Sequence, residues 1–94
     1  MAHIVVWHEV DDFDPWKAKF DEHGETRRAA GSLGGKVFRS SGSSREVVVV
    51  LEWDTDENAR AFISSQELGS VMSQAGVRGQ PRVAFLDEGE KVPA

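Results

Sequence analysis

The sequence predicts an α+β fold in which one β-sheet carries its helices on a single face. Three observations support it. The run Val47-Val48-Val49-Val50-Leu51 is continuously apolar and mostly β-branched, so it reads as a strand that needs both faces out of water. It leads straight into Glu52-Trp53-Asp54-Thr55-Asp56, a strand end followed by helix-capping residues. The opening Ile4-Val5-Val6-Trp7 has the same apolar character, and Asp11-Asp12-Phe13-Asp14-Pro15 follows as an acidic helix start.

Each element can be justified in turn. His3 to Val10 is a strand with Ile4, Val6, His8 and Val10 on one face and His3, Val5, Trp7 and Glu9 on the other. Asp14 suits the N-cap of the first helix and Pro15 its first position; the helix then runs to about Ala30, with Arg27-Arg28 in its last turns and Gly31 as C-cap. Leu33 to Ser41 and Arg45 to Trp53 form a hairpin around the turn Ser41-Gly42-Ser43-Ser44, with Gly34-Gly35 marking a bulge or bend. Asp54 or Thr55 caps a second helix, Asp56 to about Ser64, and Ser65-Gln66-Glu67-Leu68 restarts a short one ending near Gly76. Gly79-Gln80-Pro81 leads into a final strand, Arg82 to Leu86.

The order is β-α-β-β-α-β, the ferredoxin-like arrangement: a four-stranded antiparallel sheet with helices on one face. Right-handed strand-helix-strand halves put strands one and three at the centre, where they are expected to run parallel to each other, and strands two and four at the edges. The unbroken apolar runs fall on the central strands, and the charges Lys36, Arg39 and Arg82 fall on the edges. One helical layer covers one face only. A second copy of the chain is the expected cover for the other, giving a homodimer through the sheet face.

Ninety-four residues make one domain, expected over 1–87, with a polar tail at 88–94. A domain this small buries only about 60–65% of its unfolded surface, so dimerisation would also help stability. With no cysteine there is no disulfide, thiolate site or cysteine nucleophile. The N-terminal segment has no basic region or cleavage site, and no apolar run could span a bilayer, so a soluble cytoplasmic protein is expected, with no membrane partner. The net charge of −5, with basic residues scattered among carboxylates, argues against nucleic acid as a partner.

Glu52-Trp53-Asp54 followed by Asn58-Ala59, Phe62, Ser65 and Leu68 resembles the strand-three-to-helix-two signature of the antibiotic-biosynthesis-monooxygenase-like proteins of the dimeric α/β-barrel superfamily. His8-Glu9-Val10, Phe13-Asp14-Pro15-Trp16-Lys17, Phe20-Asp21-Glu22-His23 and Arg27 are similar to a branch of small bacterial proteins described as cyclases. The resemblance implies a homodimer with sheets face to face and a small-molecule pocket between each sheet and its own helices. Members of the superfamily include cofactor-independent oxygenases of aromatic polyketides, haem-degrading enzymes and cyclases. The haem-degrading branch carries a haem-ligating histidine near the position of Phe62-Ile63 and an asparagine on the first strand; both are missing here, and no cofactor is expected. The polyketide oxygenases are associated with Asn, Trp, Tyr and Arg around the substrate, whereas this chain has no tyrosine and only Asn58 as asparagine.

Trp16, Phe20, His23, Arg27 and Ala30 fall at helical spacing as one stripe that begins aromatic and turns basic. If that stripe packs on the sheet face bearing Ile4, Val6 and His8, then His8 and His23 approach each other beneath the helix, and Trp53 walls the same cavity. His8 and His23 are candidate acid–base catalysts, and Arg27 a candidate partner for a carboxylate, phenolate or enolate oxygen. Trp16, Phe20, Trp53 and Phe62 are candidate substrate-binding residues. Each has a plain structural alternative: core packing for the aromatics, a satisfied contact for His23, and complementing the helix dipole for Arg27. His3, on the opposite strand face, is expected to meet solvent or the partner copy. No histidine pair has helical ligand spacing, His8 and Glu9 point to opposite sides of their strand, and no metal is expected. Two readings follow: a cofactor-independent cyclase or monooxygenase-like enzyme acting on a small aromatic or polyketide-type carbonyl compound, or a non-catalytic metabolite-binding or stress-related dimer.

Overall fold

Alternation along the strands sorts the two faces of the sheet before any helix is placed. In β1 (Ala2–Val10) the side chains of Ile4, Val6, His8 and Val10 are buried, whereas Trp7 and Glu9 are exposed. In β3 (Glu46–Trp53) Val47, Val49, Leu51 and Trp53 are buried and the residues between them are half-buried. The computed structural model describes residues 2–94. The remaining elements are α1 (Phe13–Glu22), α2 (Gly24–Ala30), β2 (Ser32–Arg39), α3 (Asp56–Ile63), α4 (Gln66–Gln74) and β4 (Val77–Leu86). The sheet order is β2-β3-β1-β4, the ferredoxin-like order. Residues 87–94 are exposed and carry no regular secondary structure.

Four expectations need correction. The central strands are antiparallel, with Val5 opposite Val50 and Trp7 opposite Val48. The connection through α1 and α2 returns β2 in the direction of β1, and the tight hairpin then reverses β3 against both. The first helix starts at Phe13 with Asp12, not Asp14, at the N-cap, and Pro15 takes its third position. A first-turn amide has no helical acceptor, so Pro15 is tolerated there as well. That start also brings Phe13 into the helix, where its ring lies 5.8 Å from Trp16 and 4.0 Å under the Arg39 guanidinium.

The same helix does not run unbroken to Ala30. It is interrupted at His23, with the poor helix former Gly24 next in line. Gly31 ends α2 at φ 123°, as its place in the sequence suggests. The final strand begins at Val77 rather than Arg82. Pairing with β1 continues on both sides of an irregularity, Glu9 opposite Arg78 and Trp7 opposite Arg82, and Gly79-Gln80-Pro81 occupies the bulge on this edge strand.

The hairpin signal is realised closely. Register between β2 and β3 shifts between Ser32 and Gly34, and Gly34 sits at φ 102°. At Gly35 a Cβ would collide with the Val50 carbonyl oxygen, so only glycine lets the two backbones meet there. Thr55 Oγ1 accepts the Asn58 amide at 3.0 Å and Ser65 Oγ the Leu68 amide at 3.2 Å, starting α3 and α4.

The helices cover the face carrying Ile4, Val6, Val49 and Leu51. On the opposite face Val5, Val48 and Val50 form an apolar centre that no element among the described residues covers, bordered by Trp7, Phe38 and Leu86 at 43, 47 and 46% exposure. No helix among the described residues is long and apolar enough to cross a membrane.

Candidate functional site

The interruption at His23 builds the site. In an unbroken helix the Phe20 carbonyl would accept the Gly24 amide. Here Arg27 Nη1 donates to that carbonyl at 2.7 Å, and its guanidinium lies 3.7 Å from the centre of the Phe20 ring. Phe20 stacks on Trp16 at 5.1 Å between centroids, and Trp16 meets the His8 ring at 5.3 Å. The result is a column running Arg27, Phe20, Trp16, His8 from the helix interruption down to the sheet. A second column stands opposite: His23 lies 5.8 Å from Phe62, and Phe62 5.1 Å from Trp53.

Between the columns is an almost wholly apolar cavity of ≈ 60 Å³. Its lining includes His8, Trp16, Phe20, His23, Arg27 and Phe62, so the structure gathers six of the seven candidate residues around one space. Trp53 is not at the wall. It is fully buried one layer behind Phe62, where it serves the core.

The electrostatics set the histidines apart. His8 is 5% exposed, and neither of its ring nitrogens has a protein hydrogen-bond partner among the described residues. Burial lowers its pKa from the ordinary 6.5, so the imidazole is neutral at pH 7. His23 places Nε2 3.5 Å from Glu67 Oε1 at the rim between α2 and α4. Burial also lowers the Arg27 pKa, and nearby Asp21 partly offsets this, leaving a half-buried guanidinium that stays charged. His3 lies on the other face, 3.6 Å from Glu52. Asn58 is held at the start of α3 by Asp54, at 3.0 and 3.2 Å. Among the described residues no group of three or more His, Asp or Glu side chains is disposed to hold a metal ion.

Sequence reasoning missed the contribution of α4. Leu68, Val71, Met72 and Ala75 close the cavity from that side. Their spacing of three, one and three residues is the helical signal that could have found them.

No protein-family model matches the sequence, and no curated protein matches it. Among solved structures the chain is similar to an antibiotic biosynthesis monooxygenase at 14% identity, covering 96% of this chain and 100% of that one, with a TM-score of 0.71. It is similar to SnoaB, a cofactor-independent oxygenase from Streptomyces nogalater, at 10% identity, covering 99% and 97% of the two chains, TM-score 0.77. It is also similar to the monooxygenase ActVA-Orf6 of Streptomyces coelicolor, solved with Nanaomycin D, at 19% identity over 99% and 92%, TM-score 0.66. The chain therefore has the ferredoxin-like fold of the antibiotic biosynthesis monooxygenase structures.

Proposed function

We propose that this protein is a cytoplasmic, homodimeric, cofactor-independent enzyme of the cyclase or monooxygenase-like kind, transforming a small aromatic or polyketide-type carbonyl compound by acid–base catalysis. The observation that supports this most is His8: a neutral imidazole without a protein partner among the described residues, buried at the wall of an apolar cavity that the Arg27 guanidinium also lines. An unprotonated nitrogen of His8 takes a proton from a carbon or hydroxyl next to the ligand carbonyl, and the negative charge moves to the carbonyl oxygen. Arg27 lowers the energy of that oxyanion in surroundings where water is excluded. His23, at the rim, returns or relays the proton. Trp16, Phe20 and Phe62 clamp a planar ring. The oxygenases of the same fold lend support as fold-level analogy.

The test is deuterium exchange at the carbon next to the carbonyl of 1-tetralone, followed by NMR in heavy water. Wild-type protein accelerates the exchange, and His8→Ala abolishes the acceleration. No acceleration by the wild type, or full acceleration by both His8→Ala and His23→Ala, removes the acid–base role. One observation favours the non-catalytic reading, in the form in which these residues are merely core: at ≈ 60 Å³ the cavity is far below the roughly 300–1,000 Å³ of typical ligand sites. A catalytic occupant must therefore spread the walls that α2 and α4 provide.

The homodimer is proposed on the uncovered face centred on Val5, Val48 and Val50, which a second copy would take out of water. Native mass spectrometry should find the wild type dimeric and Val50→Lys monomeric at micromolar concentration with its helix content intact. A monomeric wild type overturns this assembly.

A further inference from the structure

We infer that the ligand of this cavity carries an anionic group, which sits outside the cavity in a second groove beyond the Phe20–Arg27 pair. This rests on the reading of the cavity as a ligand site.

The groove, of ≈ 520 Å³, lies between the α1–α2 junction and edge strand β2. Phe20, Arg27 and Leu51 line both it and the cavity, so the stacked ring and guanidinium, with Leu51 from the sheet, stand between the two spaces. The groove is open because its floor is Gly34-Gly35, and a side chain at Gly35 is excluded by the Val50 carbonyl. The backbone bulge that fixes the hairpin therefore also creates the space.

The charge of the groove is one-sided. Arg27 and Arg28 line it, and no carboxylate among the described residues does; Lys36 contributes only to its edge, because its ammonium lies over the Phe38 ring on the other face of the sheet. This happens in a chain of net charge −5. Arg28 is exposed and makes no ion pair or side-chain hydrogen bond among the described residues. Asp21, whose charge acts on Arg27, is already held by Lys17 at 2.7 Å. A guanidinium has five N–H donors, and one of Arg27's is committed to the Phe20 carbonyl. Those remaining can serve an oxygen in the cavity and an anion in the groove together, whereas Arg28 serves the groove alone.

The ligand class is thus an amphipathic aromatic acid: ring system inside, carboxylate or equally acidic hydroxyl outside, linked past Phe20. The apolar cavity excludes a full ionic charge, and the groove supplies the two guanidiniums that an anion needs.

The test uses 2-naphthoate and neutral 2-naphthamide at pH 7.5, with binding followed by calorimetry. The acid should bind the wild type roughly tenfold tighter than the amide, and less so in high salt. Arg28→Gln should weaken the acid roughly three- to tenfold and leave the amide unchanged. Equal affinity of acid and amide for the wild type, or an Arg28→Gln effect equal on both, overturns the anion site while the cavity reading stands. Binding of neither probe overturns both.

Discussion

Replacing His8 by leucine should make the protein more stable and inactive at once. The imidazole is buried with both nitrogens unpartnered among the described residues, so an apolar side chain of similar size removes a desolvation penalty of about 1–3 kcal/mol. The same change should cost a factor of about 10²–10⁴ in catalysed proton exchange. The pH dependence carries the same signature. Burial lowers the folded-state pKa of His8, so between the unfolded value of 6.5 and that lower value the unfolded chain binds more protons. The wild type therefore keeps its full stability above about pH 6.5 and loses it progressively as pH falls toward the folded pKa. His8→Leu should show a flatter profile across that interval in urea melts at stepped pH. A variant at least 1 kcal/mol less stable than wild type at pH 7 would show that the imidazole is a structural component.

The largest loss of stability is expected from Trp53→Ala. Trp53 is 0% exposed, pairs in register with Ala2 on one side and Ser32 on the other, and packs on Phe62. Truncating a buried tryptophan costs about 3–5 kcal/mol, a large share of the roughly 5–15 kcal/mol that holds a small domain together. Its indole nitrogen has no acceptor among the described residues, so Trp53→Phe forfeits volume but no hydrogen bond and should retain most of the stability. Thermal and urea melts of the pair decide it. A loss below about 1 kcal/mol for the alanine variant would mean that Trp53 is not the keystone of this end of the core.

These two residues show what the letters could and could not convey. The strand alternation placed His8 on the helix-covered face, because period-two patterning needs no tertiary information. The stripe from Trp16 to Arg27 was legible too, since helical spacing survives a one-residue interruption. What periodicity cannot reveal is depth. Trp53 and Phe62 read as equals along the chain, yet one lines the cavity and the other stands behind it, which only the angle between α3 and the sheet decides. The interruption at His23 had a local sign in Gly24, but the reach of Arg27 back to a carbonyl seven residues away could not be read from spacing. The early start of β4 was hidden by Gly79 and Pro81, which signal a strand boundary locally but form a bulge once β1 offers pairing on both sides.

The two aromatic columns have a consequence for how such a protein can diversify. The fully buried packing that defines the sheet comes from Ile4, Val10, Val47 and Trp53, none of which touches the cavity. Apart from His8, every ring and charge that would discriminate one ligand from another stands on a helix or at the helix junction. Architecture and selectivity thus overlap only in part: Ile4, Val10, Val47 and Trp53 serve the core alone, whereas Val6, Val49, Leu51, Trp16 and Phe62 serve core and cavity together. Substitutions at His23, Arg27, Val71 and Met72, outside the buried core, are the ones that can retune what is bound while the scaffold stays fixed.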